Sequence, residues 1–256
     1  MDLGIAGKVA LVTGASAGLG EAVALGLSRE GAKVAIAARR KAQCDDVATR
    51  AVAVGAADAR GFSFDQSDPS SIASLLAAVS AELGAIDILV VNGGGPKPGR
   101  FEDVALADWD AAYSLTLRSA ISLVSAAVPS MRARGWGRVV VLASTSVKQP
   151  IANIALSNAF RTGLAAAMKT LATDVAKDGV TVNTIATGRV ATDRLRGLYG
   201  GGPDAFERAA VGVPAGRVAT ADEFAPMTVF LCSAAASYVT GQTIAVDGGL
   251  VAGTFG

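Results

Sequence analysis

Thr13-Gly14-Ala15-Ser16-Ala17-Gly18-Leu19-Gly20 decides the fold. The stretch follows a continuously apolar run, Val9-Ala10-Leu11-Val12, and precedes a run of helix formers from Glu21 to Glu30. A strand therefore feeds a tight turn, and the turn opens a helix. Gly14 tolerates the positive φ that such a turn demands. Gly18 has no side chain to obstruct a phosphate nearing the backbone, and Gly20 lets helix and strand pack closely. The free N–H groups at the helix start, with the helix dipole behind them, attract an anion. The unit predicts a dinucleotide cradle formed by Gly14, Ser16, Ala17, Gly18 and Leu19.

Outward from this turn the same alternation continues. Short apolar runs at 9–12, 34–37, 61–64, 88–91, 139–142, 180–185 and 243–246 predict strands. Most lack polar alternation, as parallel strands covered on both faces do. Helical patterns fill the gaps at 20–30, 41–54, 69–82, 107–134, 153–177 and 221–232. The expectation is an α/β chain: a doubly wound Rossmann fold with a seven-stranded, mainly parallel sheet and helices on both faces. No linker or change of composition divides residues 1–256, so one domain is expected. Thr192 to Pro214, with Gly200-Gly201-Gly202-Pro203 inside it, escapes the pattern and is expected to be a lid after a strand's carboxyl end.

Composition narrows the function. Lys and Arg number 23 against 22 Asp and Glu, with no basic block, so no nucleic-acid partner is expected. Histidine is absent, which removes the commonest general base and metal ligand. Cys44 and Cys232 form no metal or redox motif and are expected to be buried apolar residues. Met1-Asp2-Leu3-Gly4 has no signal-like character, and charges and glycines interrupt the apolar runs. A cytoplasmic protein with no membrane partner and no metal is expected.

The second predicted strand ends at Ala38-Arg39-Arg40. A carboxylate at this tip would accept bonds from an adenosine ribose; an arginine accommodates a 2′-phosphate instead. Arg39 and Arg40, with no acidic residue at the tip, predict NADP as the cofactor.

These residues resemble the classical short-chain dehydrogenase/reductase family over essentially the whole chain, including its 3-oxoacyl-acyl-carrier-protein reductase group. Thr13-Gly14-xxx-Gly18-x-Gly20 is similar to the family's glycine loop. Asp65 stands at its acidic position near the adenine, and Asn92-Gly93-Gly94-Gly95 where it has Asn-Asn-Ala-Gly. The segment from Val182-Asn183 to Thr187-Gly188 resembles its Asn-x-x-x-Pro-Gly, with Thr187 for proline. Gly241 to Gly249 resembles its closing strand. The resemblance implies that Asp65, Asn92, Gly93, Gly188 and Val190 also touch the cofactor.

The family's chemistry is carried by Asn, Ser, Tyr and Lys. Here the matching positions are Thr116, Ser144, Ser157 and Arg161, so one of four is retained. Ser157 and Arg161 are i and i+4 on one helix face. Arg161 offers a rigid fork of donors suited to holding the nicotinamide ribose, but hardly releases a proton. A serine hydroxyl is far less acidic than a phenol, so Ser157 does not simply replace tyrosine. Ser144 remains able to orient a carbonyl. Lys148, one short loop on, and Tyr199 in the lid are the candidate proton donors. Thr116 is expected to pack or bond within its helix.

Two functions fit this pattern. One is an NADPH-dependent oxidoreductase acting on a small carbonyl or alcohol. The other is an NADP-binding protein with little turnover, acting as a sensor or oligomer partner. Arg189, Arg194 and Arg196 flank or enter the lid and are placed either to stay solvated or to meet an anionic substrate such as an acyl-carrier phosphopantetheine, the former being the expectation. The resemblance implies a homotetramer or dimer.

Overall fold

A computed structural model describes residues 1–254. Seven strands form one sheet in the order β3-β2-β1-β4-β5-β6-β7. They are β1 (Val9–Thr13), β2 (Lys33–Ala38), β3 (Asp58–Ser63), β4 (Ile88–Val91), β5 (Gly137–Leu142), β6 (Val180–Thr187) and β7 (Thr243–Val246). Every neighbouring pair is parallel, so the sheet is parallel throughout rather than mainly so.

The apolar runs make this arrangement stable because their residues alternate between two cores. Ala10 and Val12 of β1 join one core with α1 (Gly18–Arg29), α2 (Lys41–Ala53) and α9 (Ala221–Leu231). Val9 and Leu11 join the other, with α3 (Pro69–Glu82), α5 (Ser119–Ala133) and α6 (Ala155–Val175). Strands buried on both faces need no polar alternation. The edge strand β3 begins three residues earlier than the sequence pattern indicates, from Asp58 paired with Lys33. Its exposed and buried residues alternate, which hides its start from a search for apolar runs.

The long helical pattern predicted at 107–134 is one continuous helix, Leu106–Ala133, with a wide π turn at Tyr113–Arg118 between α4 (Leu106–Ala112) and α5. Gln66 fills the wide turn, donating from Nε2 to the Leu115 carbonyl at 2.9 Å and to Ser119 Oγ at 3.0 Å. By length and apolarity this helix is a candidate span, with a mean hydropathy of 1.3 over its most apolar window. Its Leu123, Val124, Ala127, Val128 and Met131 are instead buried in the core of the fold. Helix α6 starts at Ala155, two residues later than expected, because Asn153 takes a left-handed φ of 62°. The segment 192–214 contains two short helices, α7 (Asp193–Leu198) and α8 (Ala205–Ala210).

The strand order reverses between β1 and β4, where a doubly wound sheet opens a crevice. Thr13 and Asn92 clamp this fork. Thr13 Oγ1 donates to the Asn92 carbonyl at 2.7 Å and accepts from its N–H at 3.0 Å. Asn92 Nδ2 donates to the Gly14 carbonyl at 3.0 Å.

Candidate active site

A cleft of ≈ 430 Å³ lies over the carboxyl ends of the strands. That is the size range of small-molecule and cofactor sites. One end is walled by Gly14, Ser16, Ala17, Gly18, Leu19 and Arg40. Gly18 opens α1 at φ +61°, a conformation costly for any residue with a Cβ. A Cβ on Gly20 would lie 2.4 Å from the Gly14 carbonyl oxygen, so the loop closes on itself only with glycine there. The residue before α1, Ala17, has no side chain that caps the first N–H groups. A 12-residue helix therefore starts at the cleft with donors available to an anion. Arg40 reaches back to the loop, its Nη2 3.4 Å from Ser16 Oγ.

Asn92, Gly93, Gly188 and Val190 line the middle of the cleft. Ser144, Ser157 and Arg161 line the far end. Ser144 Oγ accepts from the Ser146 N–H at 3.2 Å and starts the single 3₁₀ turn Thr145–Val147. Ser157 is only 5 % exposed and lies one turn before Arg161 on α6. Arg161 donates from Nη1 to the Leu142 carbonyl at 3.1 Å. Burial lowers its guanidinium from the ordinary arginine range to about 10, and the positive charge of Arg194 adds to the shift. It remains charged at neutral pH.

Arg39, Asp65, Lys148 and Tyr199, candidates from the sequence, are not in the cleft wall. Arg39 is exposed, while Arg40 turns toward Ser16. Asp65 closes its own turn instead, accepting from Ser67 N–H at 2.9 Å and Ser67 Oγ at 2.6 Å. Those bonds, with a smaller effect from Arg39, hold its carboxyl below the ordinary range. Lys148 ends the 3₁₀ turn and is half-buried. The Tyr199 ring packs beneath the Arg189 guanidinium at 5.5 Å. Thr116 is buried, as expected, but its Oγ1 has no hydrogen-bond partner among the described residues. Of the two expectations, packing or bonding within its helix, Thr116 fulfils the first, lying buried in the π turn.

Three residues of the wall carried weak signals. Thr187, standing where the resemblance has proline, buries a hydroxyl with no partner. Thr192 caps α7, accepting from the Leu195 N–H at 3.2 Å; a threonine just ahead of a short helical run was the available clue. Of Arg189, Arg194 and Arg196, Arg194 alone lines the cleft. It donates to the carbonyls of Gly95 at 3.3 Å and Pro96 at 3.4 Å, spanning from the lid segment to the loop after β4. Arg189 instead holds the Ala209 and Val211 carbonyls, and Arg196 stacks on Phe206.

A parallel doubly wound sheet with this loop, clamp and cleft defines a nucleotide-dependent oxidoreductase scaffold, and the chain belongs to the classical short-chain dehydrogenase/reductase family. The family model described as enoyl-(acyl carrier protein) reductase matches residues 14–251. The chain is 36 % identical over 244 residues to the 3-oxoacyl-[acyl-carrier-protein] reductase of Salmonella typhimurium, covering 95 % of this chain and 97 % of that protein. It is 33 % identical over 249 residues to D-threitol dehydrogenase of Mycolicibacterium smegmatis, covering 97 % and 94 %. L-sorbose reductase of Gluconobacter frateurii, solved with NADPH and L-sorbose, superposes with a TM-score of 0.93 at 33 % identity, covering 99 % of this chain and all of that one. The protein is an oxidoreductase of this family.

Proposed function

We propose that the protein is an NADP(H)-dependent oxidoreductase that interconverts a small carbonyl compound and its alcohol, with Ser144, Ser157 and Arg161 at the reacting end. The observation that carries this reading is the continuous cleft from the Ser16–Arg40 end to Ser144 and Arg161. The cradle fits the cofactor: α1 presents uncapped donors, Gly18 and Gly20 keep the approach clear, and Arg40 stands beside Ser16 with no carboxylate opposing a 2′-phosphate. NADPH supplies the hydride when bound. Arg161 holds the ribose end by its guanidinium fork, and Ser144 orients the carbonyl. The segment 192–214 acts as the lid, with Thr192, Asp193 and Leu195 over the cleft. Its positioning of cofactor against substrate supplies most of the rate, because neither serine is an acid of useful strength.

An exposed aromatic patch supports a homo-oligomer. Phe101 is 75 % and Tyr113 45 % exposed, beside Trp109 and Phe160 with ring centroids 5.6–6.1 Å apart. The second reading, an NADP-binding protein with little turnover, is favoured by the replacement of the family's tyrosine and lysine at Ser157 and Arg161. An NADPH binding titration run beside a carbonyl panel separates the two. Binding with oxidation of NADPH supports the enzyme; binding without oxidation across the panel supports the second reading; absence of binding overturns both.

A further inference from the structure

Arg194, placed so that its charge opposes that of Arg161, is the feature of the cleft that the proposed function leaves unexplained. Arg161 lies on its floor and Arg194 at its mouth, near enough that the charge of one opposes the charge of the other. Neither forms an ion pair among the described residues. Asp193, the one acidic residue in the described wall, pairs with neither. The protein acceptors of both guanidiniums are backbone carbonyls: Leu142 for Arg161, and Gly95 and Pro96 for Arg194. Carbonyls satisfy donors without neutralising charge; Arg161 is half-buried and Arg194 exposed at the cleft, so both charges stay open to an incoming anion. The loop is shaped for the arginine: a Cβ on Gly95 would sit 2.0 Å from Arg194 Nη2 and push the guanidinium away.

We propose that the substrate carries a carboxylate next to its reacting carbon, as a 2-oxo or 2-hydroxy acid does, and that this carboxylate is held by Arg194 and attracted by the charge of Arg161 behind it. The inference rests on the oxidoreductase reading above and names its substrate class. The cofactor's phosphates are served at the other end of the cleft, by the start of α1 and by Arg40. The arginines instead share the end occupied by Ser144 and Ser157. An incoming carboxylate supplies the missing counter-charge and matches the Arg194 fork with two parallel bonds, while Arg161, whose fork is turned to the ribose, contributes its charge. A neutral substrate would leave two like charges facing each other, and a positively charged oxidised nicotinamide would add a third.

The test is calorimetric titration of the protein saturated with NADP⁺. The probes are oxamate and benzoylformate, each against its uncharged counterpart, oxamide and methyl benzoylformate. At least one acid should bind at least about tenfold more tightly than its counterpart, the scale of a charge-assisted pair. Arg194→Ala should remove that selectivity, and Arg194→Lys should keep part of it. NADP⁺ affinity of Arg194→Ala should stay within about threefold of the parent, since its role is toward substrate. Equal binding of acids and counterparts, or no binding of either acid to the NADP⁺ complex, overturns the proposal. So does a loss of NADP⁺ affinity in Arg194→Ala as large as the loss of acid affinity, which would assign the arginine to a cofactor phosphate. If NADP⁺ itself does not bind, the cofactor reading fails separately, and the acids are titrated against the protein alone; failure to bind there overturns the arginine pair as well.

Discussion

Replacing Arg40 by Ala tests the cofactor assignment most directly. Arg40 Nη2 lies 3.4 Å from Ser16 Oγ at the edge of the glycine loop, whereas Arg39 is exposed and outside the cleft wall. A hydrogen bond to a charged group is worth about 1.5–3 kcal/mol when well enclosed. Arg40 is exposed, and solvent screening reduces this to about 1–2 kcal/mol. The expected loss for NADPH is therefore about 5–30-fold in Kd, since about 1.4 kcal/mol is tenfold. NADH lacks the 2′-phosphate and should change by less than about twofold. Arg39→Ala should cost NADPH less than about 0.5 kcal/mol, the range of an uninvolved surface residue. Fluorescence titration of both nucleotides at low and high salt measures all of this, and the Arg40 effect should shrink as salt rises. Equal losses in the two arginine variants, or equal affinity of the unmodified protein for NADPH and NADH, would refute the reasoning.

Other outcomes follow from the same geometry. Gly18→Val should abolish NADPH binding in a protein that circular dichroism reports as folded, because φ +61° and an approaching phosphate both exclude a branched side chain. Ser144→Ala should lower turnover while leaving NADPH affinity nearly unchanged, and Arg161→Ala should harm both. Ser157→Tyr, placing a phenol beside a fixed positive charge that favours phenolate, should raise activity toward simple ketones if the alcohol proton limits turnover; an unchanged rate would locate the limitation elsewhere. Arg161→Met should raise Tm at pH 7 by about 2–6 °C while weakening NADPH binding. The sign follows from burial, which lowers the folded value to about 10, below that of an ordinary arginine. The unfolded chain then holds the proton more tightly, so this group's penalty is present in full at neutral pH and is relieved only as pH rises above about 10 toward the ordinary arginine range. A lowered Tm would show that Arg161 is compensated in the cofactor-free protein.

The fold and the nucleotide end of the cleft were legible in the amino-acid order because their causes are local. A strand, a glycine turn and a helix start are adjacent in sequence, and the positive φ of Gly18 and the crowding at Gly20 are properties of that turn alone. Continuous apolar runs announced most strands, while the start of β5 was missed by two residues at Gly137-Arg138 and that of the edge strand β3, with its alternating exposure, by three. The π turn at Tyr113–Arg118 was not legible, since the side chain that fills it, Gln66, comes from 49 residues away. The reacting end was legible only as residue types. Which of Arg189, Arg194 and Arg196 faces the cleft depends on how α7 and α8 pack, with two of them held by Ala209, Val211 and Phe206. That Arg161 and Arg194 oppose each other without a counter-ion is likewise a matter of tertiary structure. They stand 33 positions apart on different elements, and no local pattern reports how two such elements meet over a shared cleft.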